Sequence, residues 1–366
     1  GTTPANDGRG GRGRGSTLLS LVGLRLPCFP DAAGPTDTSS LVQASHHPPA
    51  RFAALVEREQ TQWAKREREI ARLQQAVAKA SLALPENGPV DHSSRPLPPA
   101  YEVGATLFCG LIFQLGWNRA VMIPRPSTDA LVRAAAAEIT TRLNSAGARP
   151  SGATKRVLDL GCGSGNVLLS IMRYCQPPAG VQLLGVGMDL SVEATELSRA
   201  NAAVLLSSQG QRSVKFVTGD FGCLHKLGPT EDRLGPFDVI VCNPPYLDQA
   251  LREDLASVAP ELLAEPPAAL FAANSGTAAY TAVVASIAAC QPPMLSPGAV
   301  LLFELGKGTA LSVQAAIDNL GIIGCRCAVI EPPKSLGAAL LHGHLDQVGL
   351  GRGYVLEVRG LASIHS

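Results

Sequence analysis

The feature that most constrains the fold is the stretch Phe237-Asp-Val-Ile-Val-Cys-Asn-Pro-Pro-Tyr-Leu247. Its first half is an apolar, β-branched run, which is typical of a central parallel strand buried on both faces. Two successive prolines then end the strand, because each fixes φ and removes a backbone donor. We therefore predict an α/β fold built on a parallel sheet, with a rigid turn at the carboxyl end of this strand.

The turn has the chemistry of a receptacle for a planar amide or amidine group. Asn243 Oδ1 and the carbonyl of Pro244 can each accept one N–H, and the ring of Tyr246 can cover one face of the group. Acceptors that favour a pyramidal nitrogen bind the amide more tightly in the transition state than in the ground state, and this difference lowers the barrier. We predict Asn243, Pro244 and Tyr246 as catalytic residues, and these three with Pro245 as substrate contacts. A plain strand-ending turn is the alternative.

A cofactor site is predicted upstream, in Arg156-Val-Leu-Asp-Leu-Gly-Cys-Gly-Ser-Gly-Asn-Val-Leu-Leu-Ser170. The pattern is a buried strand, a glycine loop and a helix, and the glycines let the backbone turn sharply and approach a ligand. Dinucleotide sites use similar loops, but an acid at the end of the strand favours a ligand that carries an amino group. The predicted contacts here are Asp159, Gly161, Cys162, Gly163, Ser164 and Gly165.

The next two strands lead into residues suited to a nucleoside. Asp189 ends the strand of residues 182–189, where an acid can accept both ribose hydroxyls. Asp220 and Phe221 follow the strand of residues 214–218, where the acid can accept from an adenine amino group and the ring can stack on adenine. The alternatives are a helix-capping role for Asp189 and a core position for Phe221. Asn243 is counted among the predicted cofactor contacts as well.

Two segments before the glycine loop show regular patterns. Residues 107–115 indicate a pair of strands, and Val121-Met-Ile-Pro-Arg-Pro126 indicates an extended run stiffened by prolines. A helix follows, with Ser127 or Thr128 as its predicted N-cap. Arg125 lies just before that helix and is a candidate substrate contact, with a surface ion pair as the alternative.

The end of the chain is predicted to close the sheet. Residues 299–304, 325–330 and 354–358 read as strands, and the last two resemble a hairpin. This arrangement departs from the sheet of a dehydrogenase of the Rossmann type.

Composition limits the class of protein. With 366 residues, 46% of them hydrophobic, the chain can bury one large domain and a smaller part. Residues 101–366 carry 19 Lys and Arg against 21 Asp and Glu, so direct nucleic-acid binding is not expected. Nine cysteines without framework spacing indicate reduced thiols inside a cell, and no metal site is predicted. No apolar run reaches membrane-spanning length, so a soluble protein without membrane contact is expected.

The first hundred residues follow a different pattern. Residues 1–50 are rich in Gly, Arg, Ser, Thr and Pro and predict a disordered or transit-peptide-like segment. Its arginines favour a mitochondrion or plastid over the cytoplasm, and its Arg-Gly repeats leave contact with RNA open. Residues 51–98 predict a charged helix over 51–84 and then a proline-rich linker. Residues 99–360 are predicted to form the main domain.

Five segments of this main domain match a known pattern in order. They are Pro99-Ala-Tyr-Glu-Val-Gly-Ala-Thr-Leu-Phe-Cys-Gly-Leu-Ile-Phe113, Met122-Ile-Pro-Arg-Pro-Ser-Thr-Asp-Ala-Leu-Val132, Leu158-Asp-Leu-Gly-Cys-Gly-Ser-Gly165, Asn243-Pro-Pro-Tyr246 and Ala269-Leu-Phe271. Together they resemble the PrmC/HemK family of S-adenosylmethionine-dependent methyltransferases. The likeness covers residues 99–359, and its specific part is the combination of Ile-Pro-Arg-Pro with Asn-Pro-Pro-Tyr.

The resemblance implies a fold, an activity and a partner. The fold is a Rossmann-like, seven-stranded class I methyltransferase sheet over residues 99–360, preceded by a helical region that is small and degenerate here. The family methylates the glutamine side-chain amide in the Gly-Gly-Gln motif of class I peptide release factors. The glycine loop, Asp189 and Phe221 would then hold S-adenosylmethionine, and the turn at Asn243 would hold the glutamine amide. A release factor is the implied partner, and a monomer is expected.

Some positions depart from the family pattern, and other functions stay open. Ser127 stands where an acid is common, Phe221 where tryptophan is frequent and Thr309 where glutamine is frequent. One alternative is N6-adenine methylation of DNA or RNA, because an adenine amine presents the same planar NH2 group. Methylation of glutamine in a ribosomal protein is another. A non-catalytic scaffold that binds S-adenosylmethionine is the third, although the intact Asp189 and Asn243 argue against it.

Overall fold

The computed structural model describes residues 50–79, 97–116, 118–147, 153–206, 210–226, 235–254, 260–290, 293–322, 325–330 and 354–361. Residues 58–366 form one compact unit, and residues 1–57 form another, of which residues 50–57 are described. The predicted transit-peptide-like segment and almost all of the predicted linker therefore lie outside the described residues.

The described helices and strands follow the predicted order closely. The helices are α1 (Ala50–Lys79), α2 (Pro99–Val103), α3 (Asp129–Gly147), α4 (Asn166–Tyr174), α5 (Val192–Leu205), α6 (Pro267–Leu270), α7 (Ala278–Ala288) and α8 (Ala310–Asp318). The strands are β1 (Ala105–Phe108), β2 (Leu111–Gln114), β3 (Thr154–Leu160), β4 (Gln182–Asp189), β5 (Arg212–Thr218), β6 (Phe237–Cys242), β7 (Leu247–Asp248), β8 (Phe271–Ala272), β9 (Leu295–Leu305), β10 (Arg326–Ile330) and β11 (Tyr354–Arg359).

The main sheet has seven strands in the order β10-β11-β9-β6-β3-β4-β5. The five strands from β9 to β5 pair in parallel, whereas β11 is antiparallel to both of its neighbours. This order confirms the predicted Rossmann-like, seven-stranded sheet and its hairpin-like end. The apolar run forms β6, the middle strand, and the direction of strand order reverses between β3 and β6. Ligands of open parallel sheets bind at such a reversal, beyond the carboxyl ends of the strands.

The two faces of β6 explain why its sequence is apolar throughout most of its length. Val239 and Val241 belong to a core with residues of α3 and α4, whereas Ile240 and Cys242 belong to a core with residues of α7. Every residue of β6 is buried. A strand that is covered by helices on both faces has no solvent side and therefore needs no alternating polar residues.

A small hairpin and an extended segment precede this sheet. Strands β1 and β2 pair antiparallel around Cys109 and Gly110, which have φ values of 47° and 71°. Positive φ at both central residues is what a type I′ turn requires, and the predicted strand pair is confirmed. Tyr101 donates its hydroxyl proton to the carbonyl of Val121 (2.5 Å), which fixes the start of the extended segment that leads to Arg125.

None of the helices in the described ranges combines the length and the apolar content needed to cross a membrane. In the same ranges, no three His, Cys, Asp or Glu side chains are grouped so that they could hold a metal ion.

Candidate active site

Three strands end side by side at the reversal point. The register pairs Leu160 of β3 with Cys242 of β6, and Cys242 with Phe303 of β9. Gly161 and Asn243 therefore leave the sheet side by side, and Glu304, which is still within β9 and paired with Val355 of β11, continues the same row, with neighbouring chains about 4.8 Å apart. The sheet itself brings the predicted cofactor loop and the predicted substrate turn together.

The glycine loop is held open by its own backbone conformation. Gly161, Gly163 and Gly165 have φ values of 74°, 54° and 78°, which disfavour any residue with a Cβ atom. The Gly161 and Cys162 amides both donate to the carbonyl of Met188 (2.8 and 2.9 Å), which ties the loop to β4. In the described part of the chain, no atom outside residues 162–164 lies within 4 Å of where a Cβ of Gly163 would stand. This loop leaves room for a ligand to approach the backbone.

Two side chains of the predicted loop face the protein interior. Cys162 and Ser164 are buried, and Cys162 Sγ lies 3.7 Å from the hydroxyl of Ser198. The carbonyl of Ser164 accepts a hydrogen bond from Asn201 Nδ2 (2.9 Å). The backbone is therefore the part of these two residues that is suited to contact a cofactor.

Asp159 lies beneath the loop, where its carboxylate is hydrogen-bonded to the backbone of α4. It is 2% exposed, and its Oδ2 accepts a hydrogen bond from the amide of Leu168 in α4 (3.1 Å). Burial raises the pKa of this carboxyl to about 7. The bond holds the start of α4 against β3, and a direct contact of Asp159 with a cofactor stays a prediction.

Asp189 stands at the mouth of the loop. Its Oδ2 accepts from the Gly163 amide (2.8 Å), and its Oδ1 accepts from the Ser191 amide (3.0 Å). The cap of α5 is Ser191, whose hydroxyl accepts from the Ala194 amide (3.1 Å). Asp189 is half-buried, so its carboxylate keeps further acceptor positions for the hydroxyls of a ligand.

Asp220 and Phe221 border the same loop from the end of β5. Asp220 is exposed, and its Oδ1 accepts from the Gly222 amide (2.7 Å). Phe221 is half-buried and packs against the core that includes Met188. A Cβ atom on Gly161 would lie 3.9 Å from Phe221 Cε1, so the ring lies beside the loop as well as on the core.

The side-chain oxygen of Asn243 is a buried acceptor at the centre of the predicted site. Its Nδ2 donates to Thr128 Oγ1 (3.4 Å), whereas its Oδ1 is buried and has no hydrogen-bond partner among the described residues. A buried acceptor without a partner costs free energy until a donor reaches it. The structure thus leaves an acceptor for an incoming N–H where the sequence predicts one.

The remainder of the turn is fixed by two glycines. A Cβ atom on Gly306 would lie 2.8 Å from Tyr246 Cδ2, and one on Gly276 would lie 2.2 Å from the Tyr246 carbonyl oxygen. The chain then enters β7, which pairs with β8 directly before the Gly276 turn. Burial and, secondarily, the charge of Glu304 raise the pKa of the Tyr246 hydroxyl. The neutral phenol ring therefore lies against Gly306, and the backbone of Tyr246 lies against Gly276.

Glu304 is a buried acid next to this turn. It is 2% exposed, and Ser127 donates its hydroxyl proton to Oε1 (3.2 Å). Burial raises the pKa of the carboxyl to about 7, although hydrogen bonds from Thr128 and Ser127 and the charge of Arg125 oppose the rise. Of the two predicted capping hydroxyls, that of Ser127 donates to Glu304, and that of Thr128 accepts from Asn243.

Arg125 forms an ion pair close to the turn. Its guanidinium contacts the carboxylate of Glu265, which is 3% exposed and also accepts from the Ile123 amide (3.0 Å). The charge of Arg125 opposes the rise in the pKa of both Tyr246 and Glu304, so Arg125 is within electrostatic reach of the turn. A contact between Arg125 and a substrate stays a prediction.

Sequence reasoning gave no role in the site to Glu265, Gly276 or Glu304, and it assigned Thr128 only as a possible helix cap. Glu304 could have been found, because it is an acid at the carboxyl end of an apolar strand, as Asp189 is. Thr128 carried no such signal, since its contact with Asn243 depends on how α3 packs on the sheet.

Comparison with known proteins gives a consistent result. A family model described as a methyltransferase domain matches residues 151–275, which include the glycine loop and the turn at Asn243. The chain is 32% identical over 238 residues to a release factor glutamine methyltransferase of Bradyrhizobium diazoefficiens, covering 65% of this chain and 68% of that protein. It is 35% identical over 225 residues to the protein of the same name from Bordetella pertussis, covering 62% of this chain and 70% of that protein. On this similarity, the chain belongs to the family of release factor glutamine methyltransferases.

Proposed function

We propose that this protein transfers the methyl group of S-adenosylmethionine to the side-chain amide nitrogen of glutamine in the Gly-Gly-Gln motif of a class I peptide release factor. The observation that carries the proposal is the unpartnered Oδ1 of Asn243, buried in the row between the glycine loop and Glu304. A primary amide presents two N–H groups, and one of them satisfies this acceptor.

The residues of the glycine loop fit S-adenosylmethionine. Positive φ at its glycines leaves the backbone accessible, Asp189 offers carboxylate oxygens, and the ring of Phe221 lies beside Gly161. Asp189 would hold the ribose hydroxyls and Phe221 the adenine ring. S-adenosylmethionine supplies a methyl group on a positively charged sulfur, and the protein has to present the acceptor nitrogen to it.

The turn at Asn243 would present that nitrogen. Asn243 Oδ1 and the Pro244 carbonyl each accept one N–H of the substrate amide, while the Tyr246 ring covers one of its faces. These acceptors bind the nitrogen more tightly as it becomes pyramidal and gains positive charge. A new N–C bond then forms as the S–C bond breaks, and the nitrogen afterwards releases one proton. Positioning of the amide nitrogen against the methyl group would contribute most of the rate acceleration, because the proposed reaction forms no covalent bond to the protein.

Methyl transfer can be tested directly on a purified class I release factor with S-adenosylmethionine labelled in its methyl group. We expect label in the wild-type factor and none in a factor whose Gly-Gly-Gln glutamine is replaced by alanine. Ribosomal proteins and adenine-containing oligonucleotides serve as competing substrates. Label in one of these but not in the release factor would contradict the proposal and support one of the alternative methyl acceptors.

Cofactor binding gives an independent prediction. Asp189→Ala removes the acceptor of the Gly163 amide and the predicted acceptor of the ribose hydroxyls. We expect its Kd for S-adenosylhomocysteine, measured by calorimetry, to rise by about 10- to 100-fold, because a charged acceptor is lost. Glu193→Ala is the control, since Glu193 is exposed and its carboxylate accepts from the nearby Ser191 hydroxyl (2.7 Å). An unchanged Kd in Asp189→Ala would remove Asp189 from the cofactor site.

The partner and the compartment belong to the same proposal. A class I release factor is the proposed protein partner, and the enzyme is proposed to act as a monomer. Similarity to named release factor glutamine methyltransferases supports the partner. Residues 1–50 are proposed to direct the protein to a mitochondrion or plastid, which rests on their arginine-rich composition alone.

A further inference from the structure

Within the described residues, two buried side-chain oxygens lack a hydrogen-bond partner, and both belong to the predicted site. One is Oδ1 of Asn243, and the other is Oε2 of Glu304, whose side chain is almost fully buried. A buried acceptor without a donor costs free energy in the folded state, and a charged acceptor costs more. Two such atoms in one place indicate a ligand that brings donors to both.

The sheet places these two side chains next to each other. The register pairs Cys242 of β6 with Phe303 of β9. Asn243 and Glu304 come directly after this pair and are therefore neighbours, on chain segments about 4.8 Å apart. Cys242 and Phe303 both belong to the core that contains residues of α7. Because side chains alternate along a strand, the two residues that follow point to the opposite face of the sheet, towards α3.

Contacts with the segment before α3 agree with this placement of both side chains. Asn243 Nδ2 donates to Thr128 Oγ1 (3.4 Å). Glu304 Oε1 accepts from the hydroxyl of Ser127 (3.2 Å). Ser127 and Thr128 are consecutive, and α3 begins at the next residue. One polar atom of each side chain is thus held by the protein, and the second polar atom of each is left for a ligand.

The proposed reaction needs a proton acceptor in this place. A primary amide nitrogen that takes a methyl group becomes positively charged and still carries two protons, one of which has to leave. The oxygens of Asn243 and Pro244 accept N–H groups, but a neutral amide oxygen does not retain a proton near neutral pH. A carboxylate stabilises the positive charge as it develops and can then take the proton.

The surroundings of Glu304 allow it to gain and lose a proton near neutral pH. Burial raises the pKa of its carboxyl group to about 7, and the charge of Asp129 adds to the rise while that of Arg125 opposes it. Both of these groups have other partners, because Arg125 contacts Glu265 and Asp129 pairs with an arginine of α3 (3.0 Å). The hydroxyl of Tyr246, whose pKa is raised by burial and by the charge of Glu304, stays neutral. A base with a pKa near 7 is suited to catalysis at neutral pH.

We propose that Glu304 is a further catalytic residue, whose Oε2 accepts an N–H of the substrate amide beside Asn243 and receives the proton that the nitrogen loses. A new N–C bond forms as the S–C bond breaks, which leaves the sulfur neutral and the nitrogen positively charged. The N–H bond then breaks, Oε2 takes the proton, and the proton passes to solvent when the product leaves. This inference rests on the proposed function and adds the proton acceptor to it.

Glu304→Gln tests the proposal, because it keeps the size of the side chain and an acceptor oxygen but cannot take a proton. We expect the single-turnover rate constant for methyl transfer to the release factor, measured at about pH 8, to fall by about 10- to 100-fold. The Kd for S-adenosylhomocysteine should stay within about threefold of wild type, since the predicted cofactor contacts are unchanged. The Tm should not fall, because a neutral amide is easier to bury than a carboxylate.

Glu357→Gln is the matched control for this loss of charge. Glu357 lies on β11, the strand next to β9, and its carboxylate accepts from Arg359 Nε (2.6 Å). It is paired with Leu302 in β9 and is therefore set back from the end of the sheet where Asn243 lies. We expect the wild-type rate constant in this control.

The pH profile distinguishes a proton acceptor from a residue that only supports the turn. In wild type, the rate constant should rise with pH and level off above about pH 7, as Glu304 becomes a carboxylate. Glu304→Gln should lack this rise. Glu304→Asp keeps the carboxyl group, so it should keep the rise with pH even where its shorter side chain lowers the rate.

Two results would overturn this inference alone. They are a wild-type rate constant in Glu304→Gln, and the same pH dependence in that variant as in wild type. If Glu304→Gln did not fold, the wild-type profile and Glu304→Asp would decide, and a wild-type rate independent of pH between about 6 and 8 would overturn the inference. Failure of the wild-type enzyme to label the release factor would overturn the proposed function, and this inference with it.

Discussion

Replacing Asn243 by alanine is expected to lower kcat for methyl transfer to the release factor by at least about 100-fold. The substitution removes the buried oxygen that has no partner within the described chain, and the loss of one preorganised polar group at a reacting centre has effects of this size. The Kd for S-adenosylhomocysteine should change by less than about tenfold, since the glycine loop and Asp189 supply most of the predicted cofactor contacts. Single-turnover kinetics and calorimetry measure the two quantities separately.

The control for this prediction is Asn319→Ala. Asn319 is exposed at the end of α8, so its replacement tests the loss of an asparagine side chain away from the turn. We expect wild-type kcat in the control. If Asn243→Ala also retained wild-type kcat, the turn would not be the acceptor site, and the proposed mechanism would be wrong.

Gly276→Ala is expected to displace the turn at Tyr246. Gly276 has a φ of 82°, and a Cβ atom there would lie 2.2 Å from the carbonyl oxygen of Tyr246. That distance is far below van der Waals contact, and the obstacle is backbone, which has little freedom to move away. We expect a fall of about 1–3 kcal/mol in the free energy of unfolding and a loss of at least about tenfold in kcat. Chemical denaturation and the methyl-transfer assay measure these effects.

The matched control separates backbone strain from collision. Gly298 has a φ of 70°, and within the described ranges nothing outside residues 297–299 lies within 4 Å of its would-be Cβ. It is near the start of β9, whereas the site is at the other end of that strand. Gly298→Ala should therefore lower the free energy of unfolding by the cost of the positive φ alone and leave kcat unchanged. Equal effects of the two substitutions on kcat would argue against the contact with Tyr246.

The sheet could be predicted from sequence because each strand carries a local signal. The bounds of β4 and β6 agree with the predicted runs, since a strand buried on both faces is continuously apolar and ends where a turn residue stops it. The glycine loop and Asp189 were also placed correctly relative to these strands, because the carboxyl ends of parallel strands share one edge.

The network around Asn243 could not be predicted in the same way. The contacts of Asn243 with Thr128 and of Ser127 with Glu304 depend on the register between β6 and β9 and on the angle at which α3 crosses the sheet. Capping preference assigned Ser127 or Thr128 to the helix end, but the buried carboxyl group of Glu304 takes the hydroxyl proton of Ser127. Local sequence patterns do not contain the outcome of that competition.

The contacts around the predicted substrate turn at Asn243 join segments far apart in the chain. Arg125 meets Glu265 across 140 positions, and Ser127 meets Glu304 across 177. The glycine loop, in contrast, is bonded to β4, a few tens of residues away. During synthesis from the amino terminus, the cofactor loop can therefore form early, whereas the surroundings of the substrate turn cannot form until β9 has been made. A growing chain would thus acquire the capacity to position a substrate amide only after β9 has been made, later than the cofactor loop.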